Sequence, residues 1–337
     1  DIDLLYLSNS NFKSIVVTGS NGKSTTCKII YHLLKKNKFQ VQLGGNIGTP
    51  VLDLEIKKNI FLVIEASSFQ LSHSRFIHPN YAILLNVTND HLDWHGSFNA
   101  YMASKLKIFN LQNTHNFALL NKGFKKIFRK KKYRGKLISN KIKEYHKIKF
   151  KIRNFYLKSS TNDENMIFAF TLAKSLKINQ KSFIKSMNSF VGLPHRYEIF
   201  YKKKNIVFIN DSKATSLQSS KSALMGRKNI FWILGGLPKY KDKINLKDVK
   251  ENIIKSYIIG KNINFFKKQL KNKVKFSVSK NLKNATISAL KDSRLIKNLD
   301  STILFSPGAA SFDQFKNFEV RGNEFKKLSK IYAKKFI

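Results

Sequence analysis

The segment from residue 15 to residue 36 constrains the fold more than any other part of the sequence. An apolar, β-branched run, Ile15-Val-Val-Thr18, is typical of a buried strand. The glycine-rich Gly19-Ser-Asn-Gly-Lys-Ser-Thr25 follows it, and a helical pattern extends from Ser24 to about Lys36. In such a loop, backbone N–H groups close around phosphates at a helix N-terminus, where the helix dipole also favours anions. The order of strand, loop and helix therefore predicts a phosphate-binding loop.

Two side chains of this loop suit a nucleotide and its metal. Lys23 would neutralise the β- and γ-phosphates, and the hydroxyl of Ser24 suits Mg²⁺. The spacing departs from the common phosphate-loop pattern, because Val17 stands where the first glycine of that pattern falls. The position between a strand and a helix still favours phosphate binding over a chance Gly-Lys-Ser sequence.

Apolar and amphipathic runs alternate along the rest of the chain. They predict buried strands over residues 60–64, 81–85, 206–209, 230–234, 257–259 and 302–305, and helices over 165–176, 182–189, 282–291 and 325–336. Segment 116–156 has weak periodicity and is predicted as short strands and turns. The alternation is typical of doubly wound α/β layers. We expect an α/β protein with a P-loop ATPase domain on a parallel sheet (residues 1–192) and a C-terminal Rossmann-like α/β domain (residues 193–337), divided at Gly192-Leu-Pro194.

The net charge of +43 admits two interpretations. A strongly basic chain can bind nucleic acid or an anionic membrane. A residue usage rich in Lys, Asn, Ile and Phe, as in an AT-rich genome, produces the same charge. Lysines are spread through most of the chain, with a denser run over 124–151, and motifs that combine aromatic residues with Arg for stacking are absent. We therefore favour residue usage as the cause and expect no nucleic-acid partner.

The single cysteine and the absence of long apolar runs indicate the compartment. Cys27 alone cannot form an internal disulfide and fits a reducing cytosol. No run approaches ~18 apolar residues, so we expect no membrane span and a cytoplasmic protein. The N-terminal Asp1-Ile-Asp-Leu-Leu is not a signal peptide. It also lacks an initiator methionine, which leads us to expect an incomplete chain.

Carboxylate, imidazole and amine groups follow two of the predicted strands. Glu65 ends an apolar strand, where an unpaired buried charge is costly, so a Mg²⁺ ligand is favoured over a strand-end cap. His91 follows the next strand, within Thr88-Asn-Asp-His-Leu-Asp93, and Lys105 lies on the predicted helix beyond it. Neutral imidazole suits a divalent metal or a polar anchor for substrate, although such a cluster alone is more often a surface turn.

The second half of the chain contains His195-Arg196 and Asn210-Asp-Ser-Lys-Ala-Thr215. Arg and Lys side chains there would clamp a transferring phosphoryl group, supplying positive charge where negative charge develops. Asp211, at a strand end, would hold a nucleotide ribose. In isolation these are ordinary loop residues.

Taken together, the motifs resemble a known family. In chain order they are Gly19–Thr25, Gly45-Asn-Ile-Gly48, Glu65-Ala-Ser-Ser-Phe-Gln-Leu71, Asn86–Asp93, Tyr101-x-x-x-Lys105, Gly192-Leu-Pro-His-Arg-Tyr-Glu198, Asn210–Thr215, Ser306–Phe318 and Arg321-Gly-Asn-Glu-Phe325. The series covers essentially the whole chain. It resembles the Mur ligase family, and within it the type that joins D-glutamate to UDP-N-acetylmuramoyl-L-alanine in peptidoglycan synthesis.

The resemblance implies a role for each matching residue. The ATP phosphates would be bound by Gly19, Ser20, Asn21, Gly22, Lys23, Ser24 and Thr25, the adenine by Asn165, and the nucleotide also by Arg196 and Asp211 of the second domain. Of two Mg²⁺ ions, one would be held by Ser24 and Glu65 and the other by His91 and a carbamylated Lys105. An ammonium group would repel a metal, whereas a carbamate offers it an anionic oxygen. Asn46 would face the muramoyl-alanine, and the glutamate would contact Lys213, Thr215, Lys239, Ser311 and Phe318.

The implied enzyme is a monomer that forms an acyl-phosphate with ATP and then an amide, with Lys23, Glu65, His91 and Lys105 as its catalytic residues. Family members carry an N-terminal domain that grips the UDP moiety. Only a short segment precedes Ile15 here, so we expect that domain to be missing from this chain or replaced by a partner.

Three alternatives stand beside this interpretation. The folate polyglutamate ligases, also Mur-type, carry an Asp-Tyr-Ala-His-Asn-Pro type of segment where this chain has Asn210–Thr215. A nucleic-acid-dependent P-loop ATPase would account for the charge and for Glu65, but not for the motifs after Gly192. A non-catalytic binding protein derived from the family is conceivable without the UDP domain, although every catalytic position is occupied.

The charge interpretation leads to a direct test with DNA. If the charge reflects residue usage, the protein should bind random duplex DNA weakly and with a steep salt dependence, and DNA should not stimulate its ATP hydrolysis. Fluorescence anisotropy over a salt series and an ATPase assay with and without DNA measure both. Strong stimulation at physiological salt would favour the nucleic-acid-dependent ATPase instead.

Overall fold

The computed structural model describes residues 1–8, 11–158, 162–239, 242–296 and 299–337. The chain separates into two compact units, Asp1–Val191 and Gly192–Ile337. The boundary predicted after residue 192 differs from this division by one residue.

The first unit is built on a six-stranded parallel sheet. Its strands are β1 (Phe12–Thr18), β2 (Val41–Gly45), β3 (Ile60–Glu65), β4 (Tyr81–Leu84), β5 (Phe117–Leu120) and β6 (Lys136–Ile138), in the order β2-β3-β1-β4-β5-β6. The register pairs Val17 with Glu65 on one side of β1 and Thr18 with Leu84 on the other. The carboxyl ends of β1, β3 and β4 therefore lie side by side at one edge of the sheet.

Helices of the first unit cover both faces of this sheet. They are α1 (Ile2–Ser8), α2 (Lys23–Lys36), α3 (Ser68–His73), α4 (Leu92–His95), α5 (Phe98–Leu106), α6 (Lys125–Lys130), α7 (Ile142–Lys149), α8 (Phe155–Lys158), α9 (Asp163–Ser175) and α10 (Gln180–Asn188). Alternate residues of β1 enter opposite apolar cores, with Ile15 and Val17 on the α2 and α9 side and Val16 on the α1 side. Segment 116–156, predicted as strands and turns, also contains α6 and α7. α7 is short and buries only Tyr145 and Ile148, so its apolar face is too small to stand out in the sequence.

The second unit has a six-stranded sheet with one antiparallel edge. Its strands are β7 (Glu198–Lys203), β8 (Ile206–Asn210), β9 (Ile230–Gly235), β10 (Ile253–Ile259), β11 (Phe276–Lys280) and β12 (Ser301–Phe305), in the order β11-β10-β9-β12-β8-β7. β7 runs antiparallel to β8. The helices are α11 (Leu217–Leu224), α12 (Ile263–Leu270), α13 (Leu282–Arg294) and α14 (Phe318–Phe336).

The predicted α/β class is confirmed. The strands that the sequence analysis did not predict share one kind of position. β2, β7 and β11 are all edge strands. Their side chains are only partly buried, so they lack the continuous apolar run by which a central parallel strand is identified. Across the described ranges, no helix combines the length and apolar character that crossing a membrane requires.

Candidate active site

The phosphate-loop residues form a braced turn between β1 and α2. Gly22 has a φ of +84°, and a Cβ atom at that position would lie 2.2 Å from Oδ1 of Asn165, so only glycine fits. The backbone N–H of Ser20 donates to the carbonyl oxygen of Asn86 at 2.8 Å, and that of Asn21 donates to Asn86 Oδ1 at 2.9 Å. The loop is thus anchored to the segment that follows β4.

Lys23 folds back over this loop. Its Nζ donates to the carbonyl oxygens of Gly19 and Ser20 at 2.8 and 3.0 Å. Ser24 and Thr25 follow in the first turn of α2, half-buried and buried respectively. The structure therefore brings the ammonium group, the hydroxyls and the loop backbone together, as expected for a site that binds phosphates.

Glu65 is 2% exposed at the end of β3, and its two carboxylate oxygens have different surroundings. Its Oε1 accepts a hydrogen bond from Nδ2 of Asn46 at 3.0 Å. Its Oε2 is buried, and no hydrogen-bond partner for that oxygen occurs in the part of the chain that the structure describes. Leaving a carboxylate oxygen buried and unpaired is unfavourable, so this position fits a cation. Asn46 is itself exposed, and its backbone N–H donates to the Glu65 carbonyl at 2.9 Å.

Lys105 of α5 is 1% exposed, and its side chain contacts the first residue of the phosphate loop. Its Nζ donates to the Gly19 carbonyl oxygen at 3.0 Å and lies 4.4 Å from the centre of the Tyr101 ring. Burial, together with the nearby charge of Lys23, lowers the pKa of the Lys105 amine to about 7, against a smaller opposing effect of Asp90. The neutral form of this amine is therefore more accessible near neutral pH than that of an ordinary lysine. Only the neutral amine reacts with CO₂, so the site fits a carbamylated lysine.

His91 lies near Lys105 but is more exposed. It has a φ of +52°, and its Nε2 lies 3.5 Å from Oδ2 of Asp90. Its ring centroid is 6.4 Å from that of Tyr101, the same tyrosine that Lys105 contacts. Within the ranges that the structure describes, no group of three or more His, Cys, Asp or Glu side chains forms a metal cage. A second metal at His91 and Lys105 stays a prediction.

Asn165 is buried in the first turns of α9 and contacts α2. Its Oδ1 accepts a hydrogen bond from Thr26 Oγ1 at 3.1 Å, and its Nδ2 donates to Oδ1 of Asn162 at 3.0 Å. The predicted adenine contact thus lies beside α2, with its Oδ1 in the space that a Cβ atom at Gly22 would occupy.

In the second unit, Asp211 is buried directly after β8. Its Oδ2 accepts from Ser306 Oγ at 2.7 Å and its Oδ1 from the Tyr197 backbone N–H at 3.0 Å. Burial raises the pKa of the Asp211 carboxyl to about 6, opposed by these two hydrogen bonds and by the charge of Arg196. Both carboxylate oxygens are already engaged, so a nucleotide contact would use their remaining lone pairs.

The residues predicted to contact glutamate lie on three segments of the second unit. The structure brings two of these segments, 210–215 and 306–318, into contact. The Nζ of Lys213 lies 3.7 Å from the centre of the Phe318 ring, and Ser212 Oγ donates to the Phe318 carbonyl oxygen at 2.9 Å. Ser311 is buried and Thr215 is half-buried. Lys239 is exposed at the end of its segment; residues 240 and 241, which follow it, lie outside the described ranges.

Comparison with known proteins identifies the chain's relatives. The family model for the Mur ligase middle domain matches residues 17–237. The chain belongs to the Mur ligase family. It is 36% identical to the UDP-N-acetylmuramoylalanine–D-glutamate ligase of Rickettsia felis, over 99% of this chain and 78% of that protein. It is 35% identical to the ligase of the same name from Bartonella henselae, over 92% of this chain and 72% of that protein.

Solved Mur ligases share the fold. The MurF ligase of Thermotoga maritima, in complex with ADP, superposes with a TM-score of 0.68 at 18% identity, covering 99% of this chain and 84% of that one. A MurF structure from Acinetobacter baumannii gives a TM-score of 0.64 at 14% identity, over 96% of this chain and 79% of that one. At these identities the likeness shows a Mur ligase fold.

Two residues that hold loops in place in this Mur ligase were given no role by the sequence analysis. Asn86 braces the phosphate loop, and Arg321 of α14 joins two loops of the second unit. The Nη2 of Arg321 donates to the carbonyl oxygens of Ser212 and Ala309 at 2.8 and 3.0 Å. A polar residue directly after a buried strand, and an arginine within an amphipathic helix, are the sequence features from which these positions could be found.

The raised pKa of Asp211 predicts a specific pH dependence of stability. Because the folded protein binds this proton more tightly than the unfolded chain, the free energy of unfolding falls by about 2–3 kcal/mol as pH rises from 4 to 6. Asp211→Asn should lack this decline, and the exposed Asp300→Asn should retain it. Urea unfolding at several pH values measures the difference. Parallel profiles for Asp211→Asn and the unmodified protein would show that the carboxyl is not perturbed.

Proposed function

We propose that this Mur ligase joins D-glutamate to UDP-N-acetylmuramoyl-L-alanine in peptidoglycan synthesis, consuming ATP. Family membership makes it an ATP-dependent, amide-forming ligase. The observation that carries the choice of substrates is its identity of 36% with a ligase of that name, over 99% of the chain. The braced phosphate loop, the unpaired Glu65 oxygen and the buried Lys105 supply the matching chemistry on this chain.

The reaction divides into two steps. In the first, a carboxylate oxygen of the alanyl group attacks the γ-phosphorus of ATP, so that an acyl-phosphate forms and ADP leaves. In the second, the amine of D-glutamate attacks the acyl carbon, phosphate leaves and the amine loses a proton. The backbone N–H groups around Gly22 and the ammonium of Lys23 would stabilise the negative charge on the phosphates. Exclusion of water matters because water would hydrolyse the acyl-phosphate.

Two magnesium ions fit the proposed chemistry. The Ser24 hydroxyl and the unpaired oxygen of Glu65 would hold one ion, and His91 with a carbamylated Lys105 would hold the other. When bound, Mg²⁺ offsets the charge that develops on the transferring phosphoryl group. The lowered pKa of Lys105 supports this assignment, because a neutral amine is the form that would react with CO₂ to give an anionic oxygen ligand.

The remaining substrate contacts are assigned by position. Asn46, held against Glu65, would face the muramoyl-alanine, and Arg196 and Asp211 would contact the nucleotide. The glutamate would meet a pocket with the ammonium of Lys213 at the Phe318 ring, and further contacts from Thr215, Lys239 and Ser311. We also propose a monomeric, cytoplasmic enzyme, a location consistent with the single, buried and unpaired Cys27.

Replacement of Lys105 tests the carbamate assignment. Lys105→Ala should lower kcat about 100- to 1,000-fold, because the second Mg²⁺ would lose an anionic ligand and, with it, the stabilisation of charge on the transferring phosphoryl group. Lys130→Ala, at an exposed lysine of α6, is the matched control and should retain activity. Phosphate release that depends on D-glutamate is the measurement. Short carboxylic acids should partly restore Lys105→Ala, whereas added carbonate should not, and full activity in this variant would refute the second-metal assignment.

Replacement of Ser311 tests the glutamate pocket. Ser311→Ala removes a hydrogen bond to a charged carboxylate, which is worth about 1.5–3 kcal/mol and corresponds to roughly 10- to 150-fold weaker use of glutamate. The KM values for ATP and for the muramoyl substrate should change far less. Ser277→Ala, at a half-buried serine of the same unit, is the control.

Two results would contradict the substrate assignments. If Ser311→Ala spares glutamate and weakens ATP, the pocket is misassigned. If the unmodified enzyme leaves D-glutamate unreacted and ligates another amino acid, the specific reaction is wrong and the ligase class alone remains.

A further inference from the structure

A carboxylate in the first turn of α9 joins two strand ends beside the phosphate loop. Glu164 accepts a hydrogen bond at Oε2 from Nδ2 of Asn86 and another at Oε1 from Nδ2 of Asn121. Asn86 lies just beyond β4, and Asn121 directly follows β5, which pairs with β4. The carboxylate is half-buried, and no Lys, Arg or His ion pair to it is found among the residues the structure describes. Its hydrogen-bonding capacity is directed to these two side-chain amides.

Asn86 in turn holds both backbone polar groups of one loop residue. Its Oδ1 accepts the Asn21 N–H at 2.9 Å, and its Nδ2 donates to the Asn21 carbonyl oxygen at 3.3 Å. The second N–H of the same Nδ2 group is the one that Glu164 accepts. All polar atoms of the Asn86 amide are therefore used, two of these bonds on the phosphate loop and one on α9.

The orientation of the Asn86 amide is set at both of its ends, by the backbone of Asn21 and by the carboxylate of Glu164. If the amide were rotated by half a turn, its N–H groups would face the Asn21 N–H and its oxygen would face the carboxylate. An ionised carboxylate only accepts hydrogen bonds, so this arrangement would be repulsive at both ends. The Asn121 amide is set in the same way, because its Nδ2 also donates to the Leu85 carbonyl oxygen at 2.8 Å. Glu164 is the acceptor common to both amides.

We propose that Glu164 is a positioning residue for nucleotide binding, which fixes Asn86 in the orientation that shapes the phosphate loop at Asn21. The inference rests on the proposed function only in taking ATP and ADP as the ligands of the loop. A loop that is already ordered binds its ligand without a further ordering cost. Loss of Glu164 therefore weakens nucleotide affinity, and catalysis at saturating ATP is largely retained.

Calorimetric titration with ADP tests this role in the full chain. Glu164→Gln keeps the size of the side chain but replaces one acceptor oxygen with an N–H₂ group, so it cannot accept from both amides. We expect about 10-fold weaker ADP binding for Glu164→Gln and a larger loss for Glu164→Ala. Asp163→Asn is the matched control, since it removes an acidic charge from the same helical turn, where Asp163 pairs with Lys149 at 2.7 Å. Its ADP affinity should stay within about two-fold of the unmodified protein.

Two further measurements separate positioning from general destabilisation. The KM for ATP should rise in Glu164→Gln while kcat and the KM for D-glutamate stay near their original values. In an Asn86→Ala background, Glu164→Gln should have little additional effect on ADP binding, because its influence passes through Asn86. ADP affinity of Glu164→Gln equal to that of Asp163→Asn, or full additivity with Asn86→Ala, would overturn the inference. If ADP binding weakens as expected but the unmodified protein does not ligate D-glutamate, the proposed function fails and the positioning role stands.

Discussion

Parallel hydrogen bonding between β1 and its two neighbours, β3 and β4, positions the candidate site of the first unit. The register sets Val17 beside Glu65 and Thr18 beside Leu84, so the phosphate loop, the carboxylate and the segment containing Asn86 leave the sheet at the same edge. A slip of one residue would exchange the side chains that face the two apolar cores, which makes this register strongly specified. The nearly complete burial of β1 and β3 therefore does more than stabilise the sheet, because it also determines which groups meet at the phosphate loop.

Among the residues that the structure describes, few charged side chains are buried, and three of them, Glu65, Lys105 and Asp211, have a proposed function. Glu65 and Lys105 lie beside the phosphate loop, and Asp211 and Arg321 lie beneath the loops of the second unit. Burial lowers the pKa of Lys105 to about 7 and that of Arg321 to about 10, because removing an ionised group from water is unfavourable. Buried ionisable side chains with shifted pKa values are typical of functional sites, where a charged ligand can neutralise them. The lysines on the surface carry the net charge but have no comparable environment.

Neutral side-chain amides brace the phosphate loop and the residues around it, alongside the ammonium groups of Lys23 and Lys105. Asn86 holds the backbone of Asn21, Asn162 holds Asn165, and Asn46 holds Glu65. A side-chain amide offers donors and an acceptor without adding charge, so it can brace a loop without competing with the phosphates or their cations. A half-turn of the amide exchanges the positions of its oxygen and nitrogen. A partner that can only accept hydrogen bonds favours one of the two orientations. Glu164 provides such a partner at the ends of β4 and β5.

The sequence by itself determined the α/β class, the phosphate loop and Glu65, because each depends on local order: an apolar strand, then glycines or a carboxylate, then a helix. It did not reveal the edge strands β2, β7 and β11, whose partial burial leaves no continuous apolar run. Only the tertiary structure decided that Lys105 meets Gly19 across 86 residues and that Glu164 meets Asn86 across 78. These contacts depend on strand order and register, which arise from the packing of distant apolar segments and leave no local pattern in the sequence. The same holds for the pKa of Lys105, since burial is a property of the folded surroundings and not of the residue.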